Sequence, residues 1–392
     1  AEFLKNIYVD SEDTDIDMQK VRDVIFDAIV NYRKIKNQGV VAVFKRDRFD
    51  RYSNFARIGE GSMGGKGRGL AFMDAMIKRN DVFEGFENTK VVIPKTLVLC
   101  TDIFSEFMEM NHLYPIALSD KDDEEILKYF LKARLPQHLI ADLLTFTDAI
   151  NSPIAVRSSS LLEDSHYQPF AGIYSTYMVP FNKESKTQML VMLTESIKAV
   201  YASVFFRDSK AYMMATKNVI DEEKMAIVLQ EICGNAYGTR YYPSFSGVAR
   251  SLNYYPIGSE KPEEGIVNVA MGLGKYIVDG GVSLRFSPYY PENVLQTSTL
   301  DLALKETQNY FYALDLNQKY MVPKTNDSFN LLKIRVNDAV QDGTLKYLAS
   351  TFDHQNLSIN DGIYEGRKII TFANILKHNV IPLGDLMKNT LS

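Results

Sequence analysis

The spacing of apolar residues changes character along the chain, from helix-like in the first 220 residues to strand-like after about residue 225. Over 17–36, Met18, Val21, Val24, Ile25, Ala28, Ile29 and Tyr32 recur at intervals of three and four, which predicts an amphipathic helix. The acidic residues before it (Asp10, Glu12, Asp13, Asp15) read as an extended lead-in. Residues 40–44 form a short strand candidate and 46–57 a charged connector without a strand. A helix starts over 70–77 after a glycine-rich stretch at 59–69, and 91–99 reads as a buried strand. Residues 120–150 predict one or two helices, with Asp122, Asp123, Glu124 and Glu125 in a first turn where they favour the helix dipole. Residues 184–216 are again helical. From 225 the pattern predicts strands over 225–232, 246–255, 265–270 and 281–286, separated by Gly, Pro and Asn turns. Residues 300–320 return to helix, 368–372 to strand and 383–391 to helix.

This order predicts an α+β protein with a helix-rich first part and a strand-rich second part. At 392 residues the chain exceeds a single small core, so more than one lobe is expected. A net charge of −5 and a pI near 5.7 argue against a nucleic acid or an anionic membrane as the main partner. Cys100 and Cys233 lie far apart in apolar surroundings and read as buried thiols of a reducing, cytoplasmic compartment. No apolar run reaches the ~18 residues of a membrane span, and the first residues are too polar for a signal peptide. The chain opens at Ala1 and closes at Ser392 within a pattern, as a fragment of something longer would.

Two segments carry chemistry. In the first, the strand Ile154-Ala155-Val156 delivers Arg157, followed by Ser158, Ser159 and Ser160 and then by the turn Phe170-Ala171-Gly172. An arginine beside hydroxyls at a strand end suits a multiply charged oxyanion such as a polyphosphate. By residue type alone, it equally suits a buried ion pair with Glu163 or Asp164.

The second segment runs from Gly59 to Gly69 and includes Gly64-Gly65-Lys66-Gly67. Its amides and the following helix start suit phosphate oxygens, and Lys66 adds a point charge. A flexible surface loop is the plain alternative. Gly59, Gly61 and Gly64 satisfy G-x-G-x-x-G, but 46–57 offers no strand in front, so the dinucleotide fingerprint is set aside. A P-loop fails because Glu60 and Gly67 stand where Gly and Ser or Thr are required. A protein-kinase loop fails for want of Val-Ala-Ile-Lys, His-Arg-Asp and Asp-Phe-Gly.

With both segments in view, the chain resembles the N-terminal nucleotide-binding region of the phosphoenolpyruvate synthase and pyruvate phosphate dikinase family. The resemblance rests on Gly64-Gly65-Lys66-Gly67 with Leu70 and Met73, and on Ala155-Val156-Arg157-Ser158-Ser159 with Glu163-Asp164. Phe170-Ala171-Gly172 with Thr176-Tyr177, Val228-Leu229-Gln230-Glu231-Ile232, Gly247-Val248-Ala249 and Gly272-Leu273-Gly274 follow in family order.

The resemblance implies an ATP-grasp-like domain of two lobes, the second an antiparallel sheet. It divides the chain into an extension or linker over 1–50, a first lobe over 51–224 and a second over 225–392, short of its last strands. It implies that Lys66 and Arg157 bind and polarise ATP phosphates, that Gly64, Gly65, Gly172 and Thr176 lie along the triphosphate, and that Gln230, Glu231 and Ile232 hold the adenine edge. Mg²⁺ is the implied co-ligand. The implied partners are a phosphohistidine domain and a pyruvate-binding barrel, both outside this chain.

Two departures stand against the family pattern. Lys275 replaces the Glu that follows the Gly-Leu-Gly turn, and no Asp-x-Glu with Gln-x-Arg follows residue 290, so no metal ligand is assigned. None of the histidines at 112, 138, 166, 354 and 378 has a phosphohistidine setting. The expectation is therefore an ATP-binding part of a dikinase that is inactive alone. Rival readings are a nucleotide-binding regulatory module and a related phosphotransferase with another acceptor.

Overall fold

The computed structural model describes residues 41–46, 54–83, 85–86, 88–160, 172–181, 185–216, 223–318 and 320–391. The helix expected over 17–36, and Glu163, Asp164, Phe170 and Ala171, lie outside the described residues. The first half is built on a six-stranded sheet. Its strands are β1 (Ala42–Val43), β2 (Phe55–Ile58), β3 (Thr96–Leu99), β4 (Ile154–Ser159), β5 (Thr176–Val179) and β6 (Ala226–Glu231). They lie in the order β1-β2-β3-β6-β4-β5. The β1, β2 and β3 strands run parallel, and the remaining pairings are antiparallel.

Alternation along the strands divides this sheet into two faces. One carries Ala56, Ile58, Leu97, Leu99, Ile154, Val156, Ile227 and Leu229 into a core. That core is shared with helices α2 (Thr101–Met110), α3 (Asp123–Lys132), α4 (Gln137–Asp148) and α5 (Lys186–Ser203), which α6 (Arg207–Thr216) follows. The other face carries Phe55, Val98 and Val228, against which Met63, Leu70 and Ala71 pack at the start of α1 (Gly64–Arg79). The α3 helix begins as its sequence dictates: the Asp122 side chain accepts from the Glu125 amide at 2.8 Å, and three acids occupy the first turn. The 186–215 stretch corrects one sequence expectation. It is long and apolar enough to cross a membrane, and 78% of its most apolar window is buried inside the fold.

The second half is antiparallel wherever strands pair. It contains β7 (Asn235–Tyr237), β8 (Arg240–Tyr242), β9 (Phe245–Arg250), β10 (Ile266–Met271), β11 (Leu284–Phe286), β12 (Tyr310–Asp315) and β13 (Leu331–Arg335). Then come β14 (Ala349–Asp353), β15 (Ser358–Asp361), β16 (Arg367–Ile370) and α7 (Leu383–Leu391). These form sheets β11-β10-β9, β13-β12-β8-β7 and β15-β14-β16 around a second core that includes Tyr242, Phe286, Phe311 and Phe372. Met178 of β5 belongs to that core, so the halves meet along the β5 side of the first sheet.

Several expectations need correction. A strand, β2, occupies part of the supposed connector: Phe55, Ala56 and Ile58 are buried, and Arg57 turns its guanidinium to the Gly59 carbonyl and the Glu60 carboxylate. The helix after the glycines starts at Gly64, six residues before Leu70. Among the described residues of 300–320, only Leu300–Lys305 is helical. The aromatic run Tyr310-Phe311-Tyr312 instead pairs with β13, placing Phe311 and Ala313 in the second core. The strand expected over 246–255 ends at Arg250, after which Arg285 pins the loop through Glu260 at 2.7 Å and the Tyr255 carbonyl at 2.9 Å. Cys100 is buried, but Cys233 is exposed because it lies beyond the end of β6.

Candidate nucleotide-binding site

The glycine stretch joins β2 to α1, and β2 and β3 are parallel, so it sits in a strand–helix–strand unit. The strand removes the ground on which the dinucleotide fingerprint was set aside. The loop itself is filled from within. Asp102, in the first turn of α2, accepts from the Glu60 amide at 2.9 Å and the Gly61 amide at 3.0 Å, and Thr101 Oγ1 accepts from the Ser62 amide at 3.0 Å. These are the amides that a phosphate would meet in a fingerprint loop.

A run opening Gly-Gly-Lys-Gly-Arg-Gly is a poor helix former. It is held helical by the end of β4. The Ser159 hydroxyl donates to the Met63 carbonyl at 2.8 Å and accepts from the Gly67 amide at 3.0 Å. The Gly65 amide donates to the Ser160 carbonyl at 3.0 Å. Gly64 has φ of +68°, and a Cβ there would lie 1.8 Å from the Ser159 carbonyl oxygen. Glycine is thus required for the helix start to touch the strand.

This docking carries Lys66 to β4. Its ammonium donates to the Ser158 carbonyl at 3.1 Å and the Ser158 hydroxyl at 3.3 Å, on the residue that follows Arg157. Arg157 stands opposite Thr176 of β5 and Val228 of β6. Its guanidinium donates to Gln230 Oε1 at 3.4 Å, and Gln230 Nε2 donates to Thr96 Oγ1 at 3.0 Å, forming a polar line across β4, β6 and β3. Arg157, Thr176 and Gln230 therefore share the side of the sheet where α1 packs, and Lys66 reaches the same strand one residue on, at Ser158, whose side chain alternates to the other face.

The other expected residues sit differently. Gly172 is exposed with φ of +80°, and among the described residues nothing lies within 4 Å of where a Cβ would stand, ahead of β5. The Glu231 amide donates to the Lys95 carbonyl at 2.9 Å and the Ile232 amide to the Pro153 carbonyl at 2.8 Å. The Ile232 carbonyl accepts from the Tyr241 hydroxyl at 2.8 Å. These backbone groups join the sheet to its surroundings. The Gly64 amide donates to the Ser62 hydroxyl at 3.2 Å.

Sequence reasoning did not find Asp327, which the structure adds from the second half. Its carboxylate accepts from the Thr176 amide at 2.8 Å and lies 3.2 Å from the Lys275 ammonium, which is also 3.4 Å from Asp279. Nothing in Asn326-Asp327-Ser328 marks it beyond a turn. Asp102 was findable, because Thr101-Asp102 directly follows the apolar run Leu97-Val98-Leu99-Cys100 and so marks a helix start. Beside these groups, burial pushes the Tyr177 hydroxyl well above the ordinary tyrosine range while it donates to the Lys324 carbonyl at 2.7 Å. Burial likewise raises the Cys100 thiol, against the pull of Arg57.

A set of two cations on adjacent elements, with an amide and an amide side chain beside them, fits a polyanionic ligand. Among the described residues no group of three or more His, Cys, Asp or Glu side chains is gathered as for a metal. A Mg²⁺ ion carried by nucleotide phosphates needs few protein ligands and is compatible with that arrangement.

Comparison with known proteins gives the chain its family. Residues 60–343 match the pyruvate phosphate dikinase AMP/ATP-binding domain, and the chain belongs to that family. It is 28% identical over 191 residues to an uncharacterised phosphotransferase, YvkC, of Bacillus subtilis strain 168, covering 49% of this chain and 20% of that protein. It is 26% identical over 242 residues to the phosphoenolpyruvate synthase of Aeropyrum pernix, covering 58% and 26%. It is 24% identical over 181 residues to the rifampicin phosphotransferase of Bacillus cereus, covering 44% and 19%. The matched part thus spans a fifth to a quarter of each relative's length. It is the ATP/AMP-binding domain of a phosphotransferase family.

Proposed function

We propose that this chain is the ATP-binding part of a phosphoenolpyruvate-synthase-like dikinase. In this reading Lys66 and Arg157 hold and polarise the triphosphate, Gly172 and Thr176 flank it, Gly64 and Gly65 seat the helix start beside it, and Gln230, Glu231 and Ile232 border the adenine. Phosphoryl transfer depends on positioning and charge stabilisation, which a lysine and an arginine supply and a nucleotide-borne Mg²⁺ completes. The β-phosphoryl group then passes to a histidine on a separate domain and on to pyruvate. The two halves act as the lobes of an ATP-grasp-like arrangement, in a cytoplasmic protein.

The observation that carries the reading is the Lys66 ammonium 3.1 Å from the carbonyl of Ser158, next to Arg157, inside the family-matched span. Titration calorimetry with ATP·Mg²⁺ tests it. Lys66→Ala and Arg157→Ala should each weaken binding about tenfold or more, roughly 1.4 kcal/mol. Equal affinities in all three proteins would remove both residues from the site.

A second reading, a nucleotide-binding module without transfer, draws on Lys275, whose ammonium pairs with Asp327 where the resemblance expects an acid. Labelling of a histidine from β-labelled ATP in the full-length protein separates the two. The acceptor is a further open choice, since the relatives' names point to different acceptors for different members.

A further inference from the structure

Residues 320–330, ahead of β13, cross the outer edge of β5 as a strap. The Thr176 amide donates to Asp327 Oδ2 at 2.8 Å, Asn330 Nδ2 donates to the Met178 carbonyl at 2.6 Å, and the Tyr177 hydroxyl donates to the Lys324 carbonyl at 2.7 Å. Two of these contacts explain themselves. Asn330 satisfies an edge carbonyl and Tyr177 anchors the strap, as an exposed strand edge requires. Asp327 exceeds that need, because a neutral Asn would accept from Thr176 equally well. Its carboxylate is instead matched with the Lys275 ammonium at 3.2 and 3.5 Å, and both side chains are largely shielded, at 19% and 17% exposure. A backbone amide and an ammonium converging on one anionic oxygen pair are the donors a phosphate takes. Thr176 is the register partner of Arg157 on the neighbouring strand, and its amide faces outward, to the strap.

We propose that Lys275 and the Thr176 amide form a further phosphate-binding position of the nucleotide site, which the Asp327 carboxylate fills until a nucleotide phosphate displaces it. The inference rests on the ATP-binding reading above. Lys275 then extends the cationic set of Lys66 and Arg157 from the second half of the chain, and the strap contact competes with ligand. Asp327 is the internal anion of the site, and its displacement frees the strap at one of its anchor points on β5.

The test is calorimetric titration of the full chain with ATP·Mg²⁺, using wild type, Asp327→Asn, Lys275→Gln and Lys66→Ala. Asp327→Asn and Lys275→Gln both abolish the Lys275–Asp327 pair, and Asp279→Asn is added to separate the second contact of Lys275, with Asp279 at 3.4 Å; a purely structural Lys275–Asp327 pair would shift affinity in one direction for both of the first two. The proposal expects opposite shifts. Asp327→Asn should bind roughly fivefold tighter, having lost the competing charge, and Lys275→Gln roughly fivefold weaker, having lost a phosphate partner. Unchanged or weaker binding by Asp327→Asn overturns the proposal; weaker binding would show that the carboxylate serves the ligand. If Lys66→Ala still weakens binding in that case, the ATP-binding reading stands without this addition. If no protein in the series binds ATP, the underlying reading has failed, and this inference with it.

Discussion

Gly64 shows what a single residue contributes here. Its φ of +68° and the 1.8 Å that an added Cβ would leave to the Ser159 carbonyl make any side chain a clash with backbone. Gly64→Ala should lower stability by about 2–4 kcal/mol, read as a fall in melting temperature; an unshifted melt would refute the docking of α1 on β4. The sequence made the need for glycine visible but attributed it to phosphate, because the contact with Ser159 depends on where a strand 95 residues later places its end. Tyr201 is the opposite case. It is fully buried among aromatic rings, 5.1 Å from Phe104 and 5.4 Å from Phe107, and its hydroxyl has no hydrogen-bond partner among the described residues. Tyr201→Phe keeps the rings and should hold or raise stability by about 1 kcal/mol. Burial also raises the Tyr201 pKa above its ordinary 10.0. Above that pH the unfolded chain loses this proton while the folded chain keeps it, so stability falls as pH rises further. Denaturant midpoints should therefore decline less steeply above pH 10 in Tyr201→Phe than in wild type.

At the scale of elements, Asp102 is the staple of the glycine loop. Asp102→Ala leaves the Glu60 and Gly61 amides without their acceptor, at a cost of about 1 kcal/mol for an exposed contact. Hydrogen exchange should speed up at those amides with α2 intact, and unchanged protection would contradict the staple. Elements with local signals were readable: the acidic cap of α3, the apolar α5, and the strands β6 and β10 all fall where periodicity placed them. Elements defined by neighbours were not. The β2 strand is four residues long and contains an arginine, and it is held by β1 and β3 on either side. The β12 strand reads as helix until its aromatic residues are seen to alternate between a buried and a half-exposed side beside β13.

On the scale of the whole molecule, the proposed site draws on both halves. Lys66 and Arg157 come from the first sheet and its packing helix, while Asp327 and Lys275 come from the second half across the β5 edge. The family was legible, and the first pair could be nominated, because glycines, an arginine and their order along the chain are local features. The second pair was not, since contacts between Lys275 and Asp327 and between Asp327 and Thr176 span 52 and 151 positions. The most direct measurement is a crystal structure of this chain with Mg²⁺ and a non-hydrolysable ATP analogue. The account predicts the Lys66 ammonium and the Arg157 guanidinium within hydrogen-bonding distance of oxygens of one triphosphate, close to 2.8 Å. A triphosphate bound elsewhere, or touched by only one of these two residues, would contradict it.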